Sequence, residues 1–249
     1  MALFLPEGVD WATPVGAEIS FSGDEARHAA TVRRLHPGEI ISLADGYGLE
    51  LVGEITTADR KQVSLRVTDR IEHPAPTEQI RLVQALAKGG RDELAVQAAT
   101  EAGVDAVTPW QARRSVSVWA GQAKQLSGIA RWRSVAREAA KQSLRARTPT
   151  VDALLDSPGL LAAVAAWVAS GASVLVLEPT AGVPLSTVPL SPGHDVVLIV
   201  GPEGGIDDAE LAALDAAGAR RVLLGPSVLR TSNAGLAGIA LVNAALGRW

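Results

Sequence analysis

The stretch Asp195-Val-Val-Leu-Ile-Val-Gly-Pro-Glu-Gly-Gly205 decides how the rest of the chain is read. Val196–Val200 is an uninterrupted aliphatic run, as a strand covered on both faces needs. Gly201-Pro202-Glu203-Gly204-Gly205 then breaks it, because glycine and proline punctuate regular structure. Two residues later Asp207-x-x-Glu210 forms a capping box that opens a helix, and Gly218 marks its end. Strand, glycine loop and capped helix in that order are one unit of an α/β domain with a parallel sheet. Neither GxxxxGK(S/T) nor GxGxxG occurs in the loop, which argues against a nucleotide phosphate cradle or a dinucleotide fold.

The same texture extends in both directions. Upstream, Ile80–Ala87 reads as a strand, Arg91–Ala102 as a helix ending at Gly103, and Ala106–Pro109 as a short strand. Helices follow over about Leu126–Arg145 and Leu160–Ala169, then a strand at Ser173–Leu177. Downstream come a strand at Arg221–Leu224 and an almost wholly apolar last helix from about Asn233 to Leu246, which must be buried on several faces. Residues 1–72 differ. Glu18–Ser22, Glu39–Ala44, Leu49–Thr57 and Gln62–Ile71 are short β-rich segments around one helix near Asp24–Leu35, a pattern that suggests a small barrel. The proline-containing segment 73–78 reads as the linker, with 79–249 as the α/β domain.

Composition narrows the chemistry. The 249 residues contain no cysteine, so disulfides, thiolate-held zinc, iron–sulfur clusters and a thiolate nucleophile are all excluded. The four histidines are widely spaced and suggest no metal site. The start lacks the pattern of a secretory leader, and no apolar run approaches the roughly 20 residues of a membrane span. A soluble, cytoplasmic protein without metal or membrane partner is expected.

The net charge of −4 conceals segregation. Residues 76–150 carry 12 Lys/Arg against 6 Asp/Glu, whereas residues 1–75 carry 7 against 12. Arg133, Arg137, Lys141 and Arg145 recur every four residues, placing four like charges on one helical stripe. Their mutual repulsion does not favour the helix, but a polyanion would. Arg113, Arg114 and Lys88 belong to the same basic section. Arg27, Arg33 and Arg34 cluster on the helix of the first domain, where a solvated surface and a nucleic-acid contact are equally good accounts.

Three strand ends stop in unusual loops, and carboxyl ends of strands are where open α/β sheets bind ligands. They are Leu177-Glu178-Pro179, Gly201–Gly205, and Leu224-Gly225-Pro226-Ser227-Val228-Leu229-Arg230-Thr231. Glycines at Gly201, Gly204 and Gly205 permit positive φ and close backbone approach to a ligand; a plain tight turn is the competing account. Arg230 stands alone among apolar neighbours where a loop enters a helix. It would suit a phosphate or a developing anion, or else an ion pair with Glu203.

Taken together, RHAATVRRLHPGEIISLADGYG (27–48), the lysine-led segment from Ala85 to Val116, RWRSVAREAAKQSLRARTPTV (131–151), GPEGG and LGPSVLRTSNA (224–234) resemble one family in order over some 230 residues. That family is the ribosomal RNA small subunit methyltransferase E group of 16S rRNA uridine-N3 methyltransferases, in the SPOUT superfamily. The resemblance implies a SPOUT-type trefoil-knotted α/β domain preceded by a PUA-like RNA-binding barrel. It also implies a homodimer, 16S rRNA or the 30S subunit as partner, and S-adenosylmethionine as cofactor. Carried over by position, the cofactor would be held by Leu177, Glu178, Pro179, Gly201, Pro202, Glu203, Gly204, Gly205, Leu224, Gly225, Val228, Leu229, Thr231 and Ala234, with Arg230 catalytic. Ser227, Ser232 and Asn233 depart from the usual family residues. Three alternatives remain at this stage: a 2′-O-ribose methyltransferase of the same superfamily, a non-catalytic RNA-binding or ribosome-assembly protein, and a nucleotide-binding metabolic enzyme, the last disfavoured by the missing phosphate motifs.

Overall fold

The computed structural model describes residues 1–249, which divide into two compact units. The first is not one continuous stretch. It comprises Met1–Ala75 together with Arg137–Thr148; the second comprises Pro76–Ala136 and Pro149–Trp249. The break at residues 75–76 falls inside the expected linker, but a second crossing lies within a helix, where no linker composition could announce it.

In the first unit β1 (Ala2–Phe4), β2 (Glu18–Ser22), β3 (Ile40–Ala44), β4 (Leu49–Ala58) and β5 (Gln62–Glu72) form one sheet in the order β1-β3-β4-β5-β2. The path is open: β1 and β2 are its edges, so hydrogen bonding does not close a ring. Alternate side chains of these strands, including Phe21, Ile41, Leu43, Leu51 and Leu65, build the core. The register of β4 on β5 shifts after Val52, where a side chain on Gly53 would sit 2.6 Å from the Arg66 carbonyl oxygen. The expected single helix is shorter than its sequence suggests: α1 (Gly23–Arg27) passes directly into a π-helical turn at His28–Val32.

In the second unit β6 (Ile80–Ala85), α2 (Arg91–Glu101), β7 (Ala106–Gln111), the part of α3 (Gln122–Gln142) before Arg137, β8 (Thr150–Val151), β9 (Leu155–Asp156), α4 (Ser157–Ala169), β10 (Ser173–Leu177), β11 (Val196–Val200), α5 (Asp208–Ala216), β12 (Arg220–Val222) and α6 (Thr231–Ala245) follow in turn. The strands form a parallel sheet in the order β12-β10-β11-β6-β7-β8, with β9 also on β7. Two cores cover it. Leu82, Leu198 and Val107 face one side with Val96, Trp132 and Ile239; Val83, Ile199 and Val176 face the other with Leu160, Val164 and Leu214. The last helix lies close on the sheet because it carries glycine where it touches. A Cβ on Gly238 would meet Leu198 at 3.0 Å and Leu177 at 3.1 Å. No helix is long and apolar enough to cross a membrane.

The Glu178 N–H donates to the Val222 carbonyl at 2.9 Å, while Leu223 exchanges bonds with Val183 and Leu185 at 2.8 Å each. Val222–Leu223 therefore passes between two limbs of the single loop that joins β10 to β11.

Candidate active site

β10, β11 and β12 are parallel neighbours or near neighbours, so their carboxyl ends open on the same edge of the sheet. There the three loops converge on a cleft of about 750 Å³, measured to its open mouth. Leu177, Glu178 and Pro179 line it from the first loop; Gly201, Pro202, Glu203 and Gly205 from the second; Leu224, Gly225, Val228, Leu229, Thr231 and Ala234 from the third. Val200, Ile206, Leu223 and Ser227 complete the wall. The first three flank the loops as ordinary apolar residues, and nothing in their identity distinguishes them from core.

Gly204 does not line the cleft. It lies on the outer side of its loop, where a Cβ would touch Arg114 at 3.5 Å. Positive φ is likewise confined to one residue of the three, Gly205 at 73°. Gly201 is needed for a different reason: a Cβ there would meet Ile206 at 2.5 Å. Thr231, the first residue of α6, ties the loops together by donating its hydroxyl to the Gly201 carbonyl at 2.8 Å. The backbone C=O groups of Leu224–Leu229, and the N–H groups of all of them but Pro226, make no hydrogen bond within the chain. A mostly apolar cleft edged by such groups can read an uncharged heterocycle without a charged side chain.

Glu203 is a clamp. Its Oε1 accepts the Lys88 N–H at 3.1 Å and the Arg91 guanidinium at 2.8 Å, fixing the second loop to the segment after β6. Burial pushes the carboxyl up, but its own N–H, Arg91 and the Lys88 N–H outweigh burial and hold it below the usual glutamate value. This also answers the alternative account of Arg230. Glu203 pairs with Arg91, and the exposed Arg230 side chain has no hydrogen bond or ion pair. Its backbone is fixed nonetheless: its carbonyl accepts from Asn233 at 2.8 Å and Ala234 at 3.0 Å, so Arg230 is the N-cap of α6.

The basic stripe is corrected. Lys141 is buried, 7% exposed, and its ammonium binds Glu25 at 2.9 Å and Glu138 at 3.2 Å. Arg137 bonds the Leu5 carbonyl and faces Glu25 at 3.5 Å. The helix ends at Gln142, with Leu144 turning to a φ of 57°, so Arg145 is not on it. Only Arg133 remains exposed on the stripe, its guanidinium 3.4 Å from the Val151 carbonyl. The repulsion is relieved by Glu25, an acid more than 100 residues away in sequence, which helix periodicity could not reveal.

The other basic residues are scattered. Arg27 pairs with Asp24 at 2.9 Å, and Arg33 and Arg34 are exposed at the end of the π-helical turn. Arg113 and Arg114 face Asp207 at 3.7 and 3.3 Å, and Arg114 also donates to the Ile206 carbonyl, so both stand beside the second loop. Lys88 is exposed.

Known proteins resemble this chain in sequence and in fold. Residues 73–243 match the RNA methyltransferase domain and residues 21–68 the RNA methyltransferase PUA domain. The ribosomal RNA small subunit methyltransferase E of Mycobacterium bovis is 45% identical over 97% of this chain and 92% of its own. The chain belongs to the ribosomal RNA small subunit methyltransferase E family. The Bacillus subtilis member is 30% identical over 90% of this chain and 89% of its own. Among solved structures, the Neisseria gonorrhoeae member bound to S-adenosyl methionine superposes with a TM-score of 0.84 at 27% identity, covering 98% of this chain and 97% of that one. A Legionella pneumophila protein in complex with the same cofactor gives 0.79 at 25% identity, over 98% and 96%.

Proposed function

We propose that this protein transfers the methyl group of S-adenosylmethionine to N3 of a uridine in 16S rRNA. The observation that carries the reading is the convergence of three strand-end loops on one cleft, with an unpaired arginine at its edge, in a member of this methyltransferase family. The cleft suits the cofactor in its mostly apolar walls and in the uncommitted backbone groups of Leu224–Leu229. Leu177–Pro179, Gly201–Gly205 without Gly204, and Leu224–Ala234 would hold it. When bound it supplies an electrophilic methyl group.

The acceptor must then be a nucleophile. Without cysteine the chain lacks the thiolate that activates C5 of a pyrimidine, which favours a ring nitrogen or a hydroxyl. N3 of uracil becomes nucleophilic on losing its proton, and its solution pKa lies above neutrality. Arg230 follows Leu229 and precedes Thr231, both in the cleft wall, and its charge is unneutralised. Set beside a uracil oxygen, it would stabilise the imide anion and lower the cost of proton loss. The reading extends to the 30S subunit as the form in which the RNA is met, to Arg33, Arg34, Lys88, Arg113, Arg114 and Arg133 as RNA contacts, and to a homodimer, which rests on the family alone. It also includes a trefoil knot, supported by the passage of Val222–Leu223 between two limbs of one loop.

The test is mass spectrometry of nucleosides from small subunits of a deletion strain, after incubation with the protein and labelled S-adenosylmethionine. Label in 3-methyluridine is expected. Label in a 2′-O-methyl nucleoside would move the reaction to the ribose, and RNA binding without label would leave a binding protein.

A further inference from the structure

Gln84 stands in β6, between the apolar Val83 and Ala85, and is fully buried at the carboxyl end of the strand. Both hydrogens of its amide are committed: Nε2 donates to the Ala85 carbonyl at 3.1 Å and to the Thr231 hydroxyl oxygen at 2.8 Å. Its Oε1 has no partner. Flipping the amide would aim that oxygen at the Ala85 carbonyl, so the orientation is determined. The Thr231 hydroxyl must accept from Gln84, and its own proton is then free for the Gly201 carbonyl at 2.8 Å. A buried side chain that leaves an acceptor unsatisfied is not there to maximise stability, since satisfied or apolar groups do that better.

We infer that Gln84 is a positioning residue for the methyl-transfer site, acting through the one-way relay Gln84 Nε2–H to Thr231 Oγ1–H to the Gly201 carbonyl. The relay joins three elements distant in sequence: the end of β6, the first residue of the second loop and the first residue of α6. Gly201 begins the part of the second loop that lines the cleft, and Thr231 directly follows Arg230. The relay thereby holds two walls of the cleft in fixed relation and anchors the backbone from which Arg230 projects. The inference rests on the methyltransferase reading for its effect on cofactor affinity, but its effect on the loops can be measured without any ligand.

The test uses the full chain with Gln84→Met, which keeps length and loses both donors, Thr231→Val, which keeps shape and loses the hydroxyl, and Thr231→Ser, which keeps the hydroxyl. Backbone hydrogen exchange of the ligand-free proteins is read at Gly205, whose N–H bonds the Pro202 carbonyl, and at Asn233 and Ala234, which bond the Arg230 carbonyl. Exchange at both loops should quicken about tenfold or more in Gln84→Met and Thr231→Val, and return to within about twofold of wild type in Thr231→Ser. Titration with S-adenosylmethionine alone should show affinity falling about tenfold in the first two, with the double variant no worse than either single one, because coupled residues lose their interaction once. Unchanged exchange in both single variants, or losses that add in the double variant, overturns the relay. If either drastic variant fails to fold, Thr231→Ala replaces Thr231→Val and Gln84→Leu replaces Gln84→Met in the same comparison, with the same two outcomes deciding. A wild-type chain that binds the cofactor but forms no 3-methyluridine refutes the assigned reaction and leaves these readouts standing.

Discussion

Lys141 lies on the basic helix α3 and Arg230 stands alone where a loop enters the apolar α6, and the fold treats the two cations oppositely. Lys141 is buried and held between Glu25 and Glu138; Arg230 is exposed, its backbone fixed and its guanidinium unpaired. The first charge is part of what keeps the unit together, the second is available for chemistry. The difference teaches that a basic residue's role is read from its partners, not from its place in a basic run.

That contrast can be broken most sharply at the two residues themselves. Arg230→Ala should lower kcat for 3-methyluridine formation by about 10²–10³-fold or more, as loss of a single oxyanion-stabilising donor does. Its thermal midpoint should stay close to wild type. Normal turnover in that variant would remove the catalytic role. Lys141→Ala should do the reverse, costing up to about 3 kcal/mol of stability by leaving the buried Glu25 with only Arg137, at 3.5 Å, to balance it. Urea unfolding measures that cost, and pairing the change with Glu25→Leu should recover most of it.

Two smaller effects sharpen the picture of the cleft. Gly238→Val pushes a side chain into Leu198 and Leu177 beneath the loops, and overpacking of this kind costs about 1–3 kcal/mol. An unchanged melting temperature would mean that α6 can lift from the sheet. The Glu203 clamp should be the weakest, worth under about 1 kcal/mol because Arg91 is partly solvated. Its carboxyl sits below the ordinary glutamate value, so its stabilisation is complete above about pH 4.5 and fades as pH falls through the lowered value. Comparing wild type with Glu203→Gln across pH 3–7 should show the two stabilities converging at the acid end.

Much of the second unit is legible in the sequence. Val196–Val200 could hardly be anything but a buried strand, and the Asp207–Glu210 capping box opens α5 as its spacing requires. Boundaries failed where backbone geometry intervened: the basic helix ends at Gln142 because Leu144 turns left-handed, and no glycine announces it. β1, β8 and β9 leave no mark in the sequence pattern, being too short for two-residue alternation to emerge. In the cleft, glycine loops marked the walls, but Gly204 was indistinguishable from Gly201 and Gly205 until Arg114 was seen beside it.

By itself the sequence determined the order of elements, the loops that end β10, β11 and β12, and the exclusion of thiolate and phosphate-loop chemistry. These depend on residue type, local periodicity and turn stereochemistry, all of which act over a few residues. Only the tertiary structure decided which charges are neutralised, that Arg137–Thr148 packs with the first unit, and that Gln84, Thr231 and Gly201 share one line of hydrogen bonds. The physical reason is that a charge or a hydrogen-bond donor is satisfied by whatever lies within about 3 Å, and chain folding brings that neighbour from as far as 147 residues away.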